Sequence, residues 1–315
     1  MQIINMNWAE KSVVVTGGSG FLGSRVVAQL QEKGATNIFV PNSTEFDLRL
    51  KENAEKITKN ADIVFHIAAK VGGIGLNQEK PGELFYDNLI MGTNLLEEAR
   101  KNGVKKFVAL GTVCSYPKFT PIPFSEESIW DGYPEETNAP YGLAKKMLLV
   151  QSQAYRQQYG FQSIVVIPTN LYGPHDNFDE NSSHVIPALI KKIFDAKKTN
   201  ERKISVWGDG SPTRDFLYVD DAARGIILAA EKYNKSDPLN LGSGKEISIK
   251  ELVNKLLKLT KSNFDIVWET DKPNGQPRRC ISIEKARKEI GFEPTIDIDE
   301  GLRKTIEWYE STLTS

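Results

Sequence analysis

The feature that most constrains this chain is a glycine turn wedged between two periodicities. Ser12-Val-Val-Val-Thr16 is a β-branched run, and Phe21–Lys33 carries apolar residues at three- and four-residue spacings. Between them lies Gly17-Gly-Ser-Gly-Phe-Leu-Gly23. A strand that turns this abruptly into a helix needs glycine's freedom at positive φ. A backbone without side chains can also approach a pyrophosphate closely, and the helix N-terminus adds free N–H groups and a partial positive charge. The turn therefore predicts a strand-turn-helix unit opening a parallel sheet and able to cradle a dinucleotide.

The same alternation continues downstream. Short apolar runs predict strands at Ser12–Thr16, Asn37–Val40, Ile63–Ile67, Phe107–Leu110 and Ser163–Ile167, with crossover helices at Phe21–Lys33, Leu84–Lys101 and Tyr141–Tyr159. Uninterrupted apolar strands are those of a sheet covered on both faces. Beyond Leu171 long polar loops and isolated helices take over, such as the loop Gly173–Ser183 before a helix starting near His184, while Phe216–Ala230 and Leu239–Gly242 again look sheet-associated. The expected fold is α/β: a Rossmann-type doubly wound parallel sheet with a smaller α/β C-terminal substrate domain. Residues 1–170 would form the nucleotide-binding domain, with 215–243 returning to it, and 171–315 would form mainly the substrate domain.

Composition removes several alternatives. A formal net charge of −1 argues against a nucleic-acid-binding surface. Neither a signal-length apolar run at Met1–Lys11 nor a stretch of membrane-spanning length occurs, which predicts a cytoplasmic protein without membrane association. Cys114 and Cys280 are too few for a disulfide framework and lack metal-ligand spacing, so no metal is expected.

Tyr141 and Lys145, four apart at a predicted helix start, would project from one face. An ammonium there should stabilise the phenolate and lower the tyrosine pKa, making a proton-transfer pair. The second strand ends in Val40-Pro41-Asn42-Ser43, without the carboxylate that would repel a 2′-phosphate, so NADP(H) is favoured over NAD. No arginine stands at that strand end. Asp47, farther on, is placed either to touch the adenine ring or to cap a helix.

The glycine turn, Thr112 ahead of Tyr116 and the Tyr141/Lys145 pair stand in the order and spacing of the extended short-chain dehydrogenase/reductase family. Within it the chain resembles the GDP-L-fucose synthases. The segments that carry the resemblance are Ala69-Lys-Val-Gly-Gly-Ile, Cys114-Ser-Tyr-Pro-Lys, Pro168-Thr-Asn-Leu-Tyr-Gly-Pro-His-Asp-Asn-Phe, Ser183-His-Val-Ile-Pro-Ala-Leu and Lys272-Pro-Asn-Gly-Gln-Pro-Arg. The resemblance implies an NADPH-dependent enzyme that epimerises GDP-4-keto-6-deoxy-D-mannose at C3 and C5 and reduces C4. Two departures stand out: Thr112 replaces the usual serine but keeps the hydroxyl, and Ser19 and Ser43 stand where relatives carry arginines.

Epimerisation beside a ketone needs an acid and a base besides the tyrosine, and Cys114 and His184 are the candidates. A buried inert thiol and a solvated histidine are the alternative readings. The resemblance further implies a cofactor set of Gly17, Gly20, Phe21, Leu22, Gly23, Asp47, Ala68, Ala69, Lys145, Pro168, Asn170, Leu171 and His184. For the GDP-sugar it implies Lys192, Trp207, Arg214, Asn274 and Arg279. Planar arginines suit a diphosphate, and Trp207 reads either as a stacking surface or as core. Competing readings are a C4 reductase of a related GDP-4-keto sugar or heptose, and another nucleotide-sugar epimerase. Helices 84–101 and 141–159 could form the contact of a homodimer.

Overall fold

The computed structural model describes residues 6–179, 182–272 and 276–314. Its first half follows the alternation in the sequence: β1 (Ser12–Thr16), α1 (Phe21–Glu32), β2 (Asn37–Phe39), α2 (Lys51–Thr58), β3 (Ile63–His66), α3 (Ile74–Glu79), α4 (Pro81–Lys101), β4 (Lys106–Leu110), α5 (Ala139–Tyr159) and β5 (Ser163–Pro168). The second half contains β6 (Asn170–Tyr172), α6 (Val185–Thr199), β7 (Lys203–Trp207), β8 (Thr213–Tyr218), α7 (Val219–Lys232), β9 (Leu239–Leu241), β10 (Glu246–Ser248), α8 (Ile249–Leu259), β11 (Asp265–Glu269), β12 (Arg278–Arg279), α9 (Glu284–Ile290) and α10 (Ile298–Thr314).

Six parallel strands form the main sheet in the order β2-β1-β3-β4-β5-β9. Both faces are covered, which explains the continuous apolar strands. One core packs Val26 and Leu30 of α1 and Ile226 and Ile227 of α7 against the sheet. The opposite core uses Ala54 and Ile57 of α2, Leu95 and Leu96 of α4, and Leu148 and Leu149 of α5. Strand order reverses between β1 and β3, the place where ligands bind in open α/β sheets.

A smaller sheet, β10-β8-β12 with β6 on β8, and the pair β11-β7 build the second lobe. Its core joins Ile190 of α6, Leu252 and Leu256 of α8, and Leu302 of α10. The segment expected to return to the main sheet from residue 215 divides in two. Strand Thr213–Tyr218 pairs within the smaller sheet, whereas α7 and β9 belong to the large one. Apolar content is the same for a strand in either sheet, so the sequence does not separate them.

Asp215 forms the seam between the sheets. Its carboxylate accepts bonds from Ser243 N at 2.9 Å, Ser243 Oγ at 2.6 Å and Gly244 N at 3.4 Å, beyond β9, and from Ile281 N at 3.5 Å. The carbonyl of the same residue accepts from Thr169 Oγ1 and Asn170 Nδ2, just beyond β5. Burial pushes the carboxyl up to about 6, against the lowering effect of these bonds.

Candidate active site

One cleft of about 1430 Å3 runs from the glycine turn to the second lobe. Typical small-molecule pockets hold roughly 300–1,000 Å3, so this one has room for more than one ligand. Every residue expected at the site lines it except Asn274, which lies outside the described residues.

At the turn, Gly17 has φ +70°, and a Cβ there would lie 2.9 Å from the Ala68 Cα at the end of β3. A Cβ on Gly23 would lie 2.0 Å from the Gly17 carbonyl oxygen. Gly20 by contrast faces open space apart from Gly17 O at 3.3 Å, and α1 begins without a side-chain cap. The turn thus leaves bare backbone and free helix-end N–H groups facing the cleft, a surface that fits a dinucleotide pyrophosphate.

Beyond β2, Ser43, Asp47 and Arg49 line the same cleft. Asp47 does not cap a helix: α2 starts at Lys51 with Leu50 at its N-cap. The Asp47 carboxylate instead accepts Arg49 Nη2 at 2.7 Å, and this partner holds it below the usual range. Arg49, which a reading confined to the strand end passes over, also reaches Asp87 at 3.3 Å. No group of three His, Cys, Asp or Glu suited to a metal occurs among the described residues.

The catalytic candidates converge where β4 meets α5. Thr112 ends the strand run, and its hydroxyl accepts the Cys114 N–H at 3.2 Å, capping the tight turn Val113–Ser115. Helix α5 approaches that turn because residue 142 is glycine: a Cβ there would sit 2.3 Å from the Cys114 carbonyl oxygen. The Ser115 hydroxyl closes the contact by donating to the Gly142 carbonyl at 2.8 Å. Tyr141, the residue before, is thereby held near Thr112, which acts to favour its phenolate form.

Lys145, one turn along α5, is only 2% exposed, and burial lowers it to about 8. Its charge, after burial itself, also disfavours protonation of His66, whose Nδ1 lies 3.0 Å from Thr16 Oγ1. The expectation of a lowered tyrosine pKa is corrected here. Burial pushes the Tyr141 phenol upward and the charge of Cys114 adds to this, with the Thr112 hydroxyl acting the other way. Desolvation of the phenolate outweighs any help from an ammonium, so the phenol rests protonated.

The second lobe supplies the opposite wall. His184 is the N-cap residue of α6, with its ring toward the cleft. Crowding by protein and then the charge of Arg279 lower its pKa. Although its surface remains open to water, the two causes act in one direction. The Arg279 Nη1 points at Cys114 Sγ across 3.7 Å, a contact spanning 165 residues of chain and invisible to spacing arguments. Arg214 lies beside Arg279, Lys192 donates to the Ser205 carbonyl at 3.0 Å, and Trp207 is 49% exposed on the cleft wall, so it is not core. Gln276, missed in the sequence, is buried and holds Arg279 through its side-chain oxygen. Cys280 is buried, its thiol pushed up to about 12 by desolvation.

Comparison with known proteins accords with this geometry. A family model described as NAD dependent epimerase/dehydratase family matches residues 13–242. Probable GDP-L-fucose synthase 1 of Oryza sativa subsp. japonica is 40% identical over 306 residues, 96% of this chain and 93% of that protein. Among solved structures, a GDP-L-fucose synthetase from Naegleria fowleri bound to NADP is 28% identical with a TM-score of 0.86, covering 97% of this chain and 96% of that one. MlghC, a GDP-mannoheptose C4 reductase from Campylobacter jejuni with NADP bound, is 25% identical with a TM-score of 0.85, covering 98% and 99%.

Proposed function

The chain belongs to the NAD dependent epimerase/dehydratase family, alongside its GDP-L-fucose synthases, and from that premise we propose that it converts GDP-4-keto-6-deoxy-D-mannose to GDP-L-fucose with NADP(H). The observation that carries this reading is the meeting of two sets of groups in one cleft: Thr112, Tyr141 and Lys145 for ketone reduction, and Cys114 and His184 for inversion at carbon.

The cofactor, when bound, supplies the hydride for C4. The glycine turn, Ala68, Ala69 and the Pro168–Leu171 segment would hold it. Tyr141 donates its proton to the C4 oxygen, Lys145 stabilises the phenolate left behind, and Thr112 orients the phenol. For epimerisation, the Cys114 sulfur takes the proton from C3 or C5: the C–H bond breaks, S–H forms, and the electron pair moves into the C4 carbonyl as an enolate. His184 returns a proton to the other face. Lys192, Arg214 and Arg279 supply cations for the diphosphate, and Trp207 a surface for the base.

Residues 1–170 with α7 and β9 serve as the cofactor domain on this reading, and the remainder of 171–315 as the substrate domain. A homodimer through α4 and α5 is supported by exposed Phe85, Tyr86 and Val150 on those helices. No helix among the described residues is long and apolar enough to cross a membrane, and a cytoplasmic setting is part of the proposal.

NMR analysis of the product formed from the ketosugar and NADPH in D2O tests the assignment. Deuterium at C3 and C5 together with C4 reduction is expected. Cys114→Ser and His184→Asn should each abolish exchange while leaving C4 reduction less affected. Likeness to the heptose C4 reductase supports one second reading: reduction without exchange in the unaltered protein would select it.

A further inference from the structure

Arg279 is held too rigidly toward Cys114 to be only a diffuse phosphate ligand. It is 8% exposed, and its Nε and Nη2 both donate to Gln276 Oε1, at 3.2 and 3.1 Å. Gln276 is anchored in turn through Nε2 to the Lys118 carbonyl at 3.2 Å. With one edge of the guanidinium clamped, the remaining nitrogen, Nη1, faces Cys114 Sγ. Strand register brings Arg279 of β12 beside Arg214 of β8, so two guanidiniums share this wall. Desolvation and the neighbouring Arg279 charge lower Arg214 to about 9, and Cys114 and Glu135 act in the opposite direction. Of these two guanidiniums, that of Arg279 donates to the Cys114 sulfur at 3.7 Å.

We propose that Arg279 is a positioning residue for epimerisation: clamped by Gln276, its guanidinium donates to the Cys114 sulfur and holds it where it accepts the carbon-bound proton. The role of that sulfur rests on the proposed function; its contact with the guanidinium does not. The same cation bears on the acid. Its charge is the second cause, after crowding by protein, that disfavours protonated His184, so an imidazolium formed there surrenders its proton readily to carbon.

The test is alkylation of Cys114 by iodoacetamide at neutral pH in the substrate-free protein, followed by mass spectrometry of the peptide containing it. Arg279→Gln should slow the reaction by about tenfold, because the thiolate is the reacting form. Arg279→Lys, which keeps a cation, should restore most of the rate, as a merely structural role would not. Gln276→Ala, which leaves Arg279 present but unclamped, should give an intermediate rate and carries the test alone if Arg279→Gln fails to fold. Unchanged alkylation in Arg279→Gln, or in Gln276→Ala where it stands alone, overturns the inference. Because no sugar is present, failure here is distinct from failure to turn over the GDP-sugar.

Discussion

Lys145 carries the clearest consequence at the scale of single residues. Burial brings its amine down to about 8, so it is charged below that pH and neutral above it. The Tyr141 phenol, pushed upward, stays protonated throughout this range. Proton donation by Tyr141 needs the ammonium to hold the phenolate that results. kcat/KM for ketone reduction, which reports the free enzyme, should therefore be level below pH 8 and fall by about tenfold per unit above it. A level profile through pH 10 would remove Lys145 from that role. The pair itself was legible from a four-residue spacing, but the direction of the tyrosine shift was not. A sequence shows which charges can be neighbours and is silent on how much water is excluded from them.

At the scale of elements, the approach of α5 to the Val113–Ser115 turn decides where Tyr141 points. Gly142→Ala would place a methyl carbon 2.3 Å from a backbone oxygen that no side-chain rotation can relieve. The helix must back away, with a destabilisation of about 1–3 kcal/mol expected from overpacking. Reduction should fall more than tenfold while nucleotide affinity at the distant turn is retained. Measuring kcat beside a cofactor titration checks this, and wild-type turnover in the variant would sink it. Strands β1 to β5 were legible as apolar runs to within a residue or so at their ends. Helix α2 was not, because Lys51-Glu-Asn-Ala-Glu-Lys offers few apolar positions to mark a period. Helix α8 could have been marked by its start, where Ser248 and Glu251 form a capping box.

At the scale of the whole molecule, the two lobes meet at Asp215, and the contact was illegible because its partners lie 28 and 66 residues away. Asp215→Ala would leave the Ser243 and Ile281 N–H groups without acceptors in a buried seam, costing about 2–3 kcal/mol. Urea denaturation should show the loss, and an unchanged midpoint would deny the seam its structural part. The division it bridges also has a historical meaning. Thr112, Tyr141 and Lys145 hang from the large sheet and its helix, whereas His184 and Arg279 hang from the smaller lobe. On the proposed assignment, substitutions confined to the smaller lobe can silence inversion at carbon and leave reduction running, whereas losing reduction requires changes to the large sheet or α5. A two-step enzyme built this way has a short mutational route to a one-step reductase, and the descent is easier than the return.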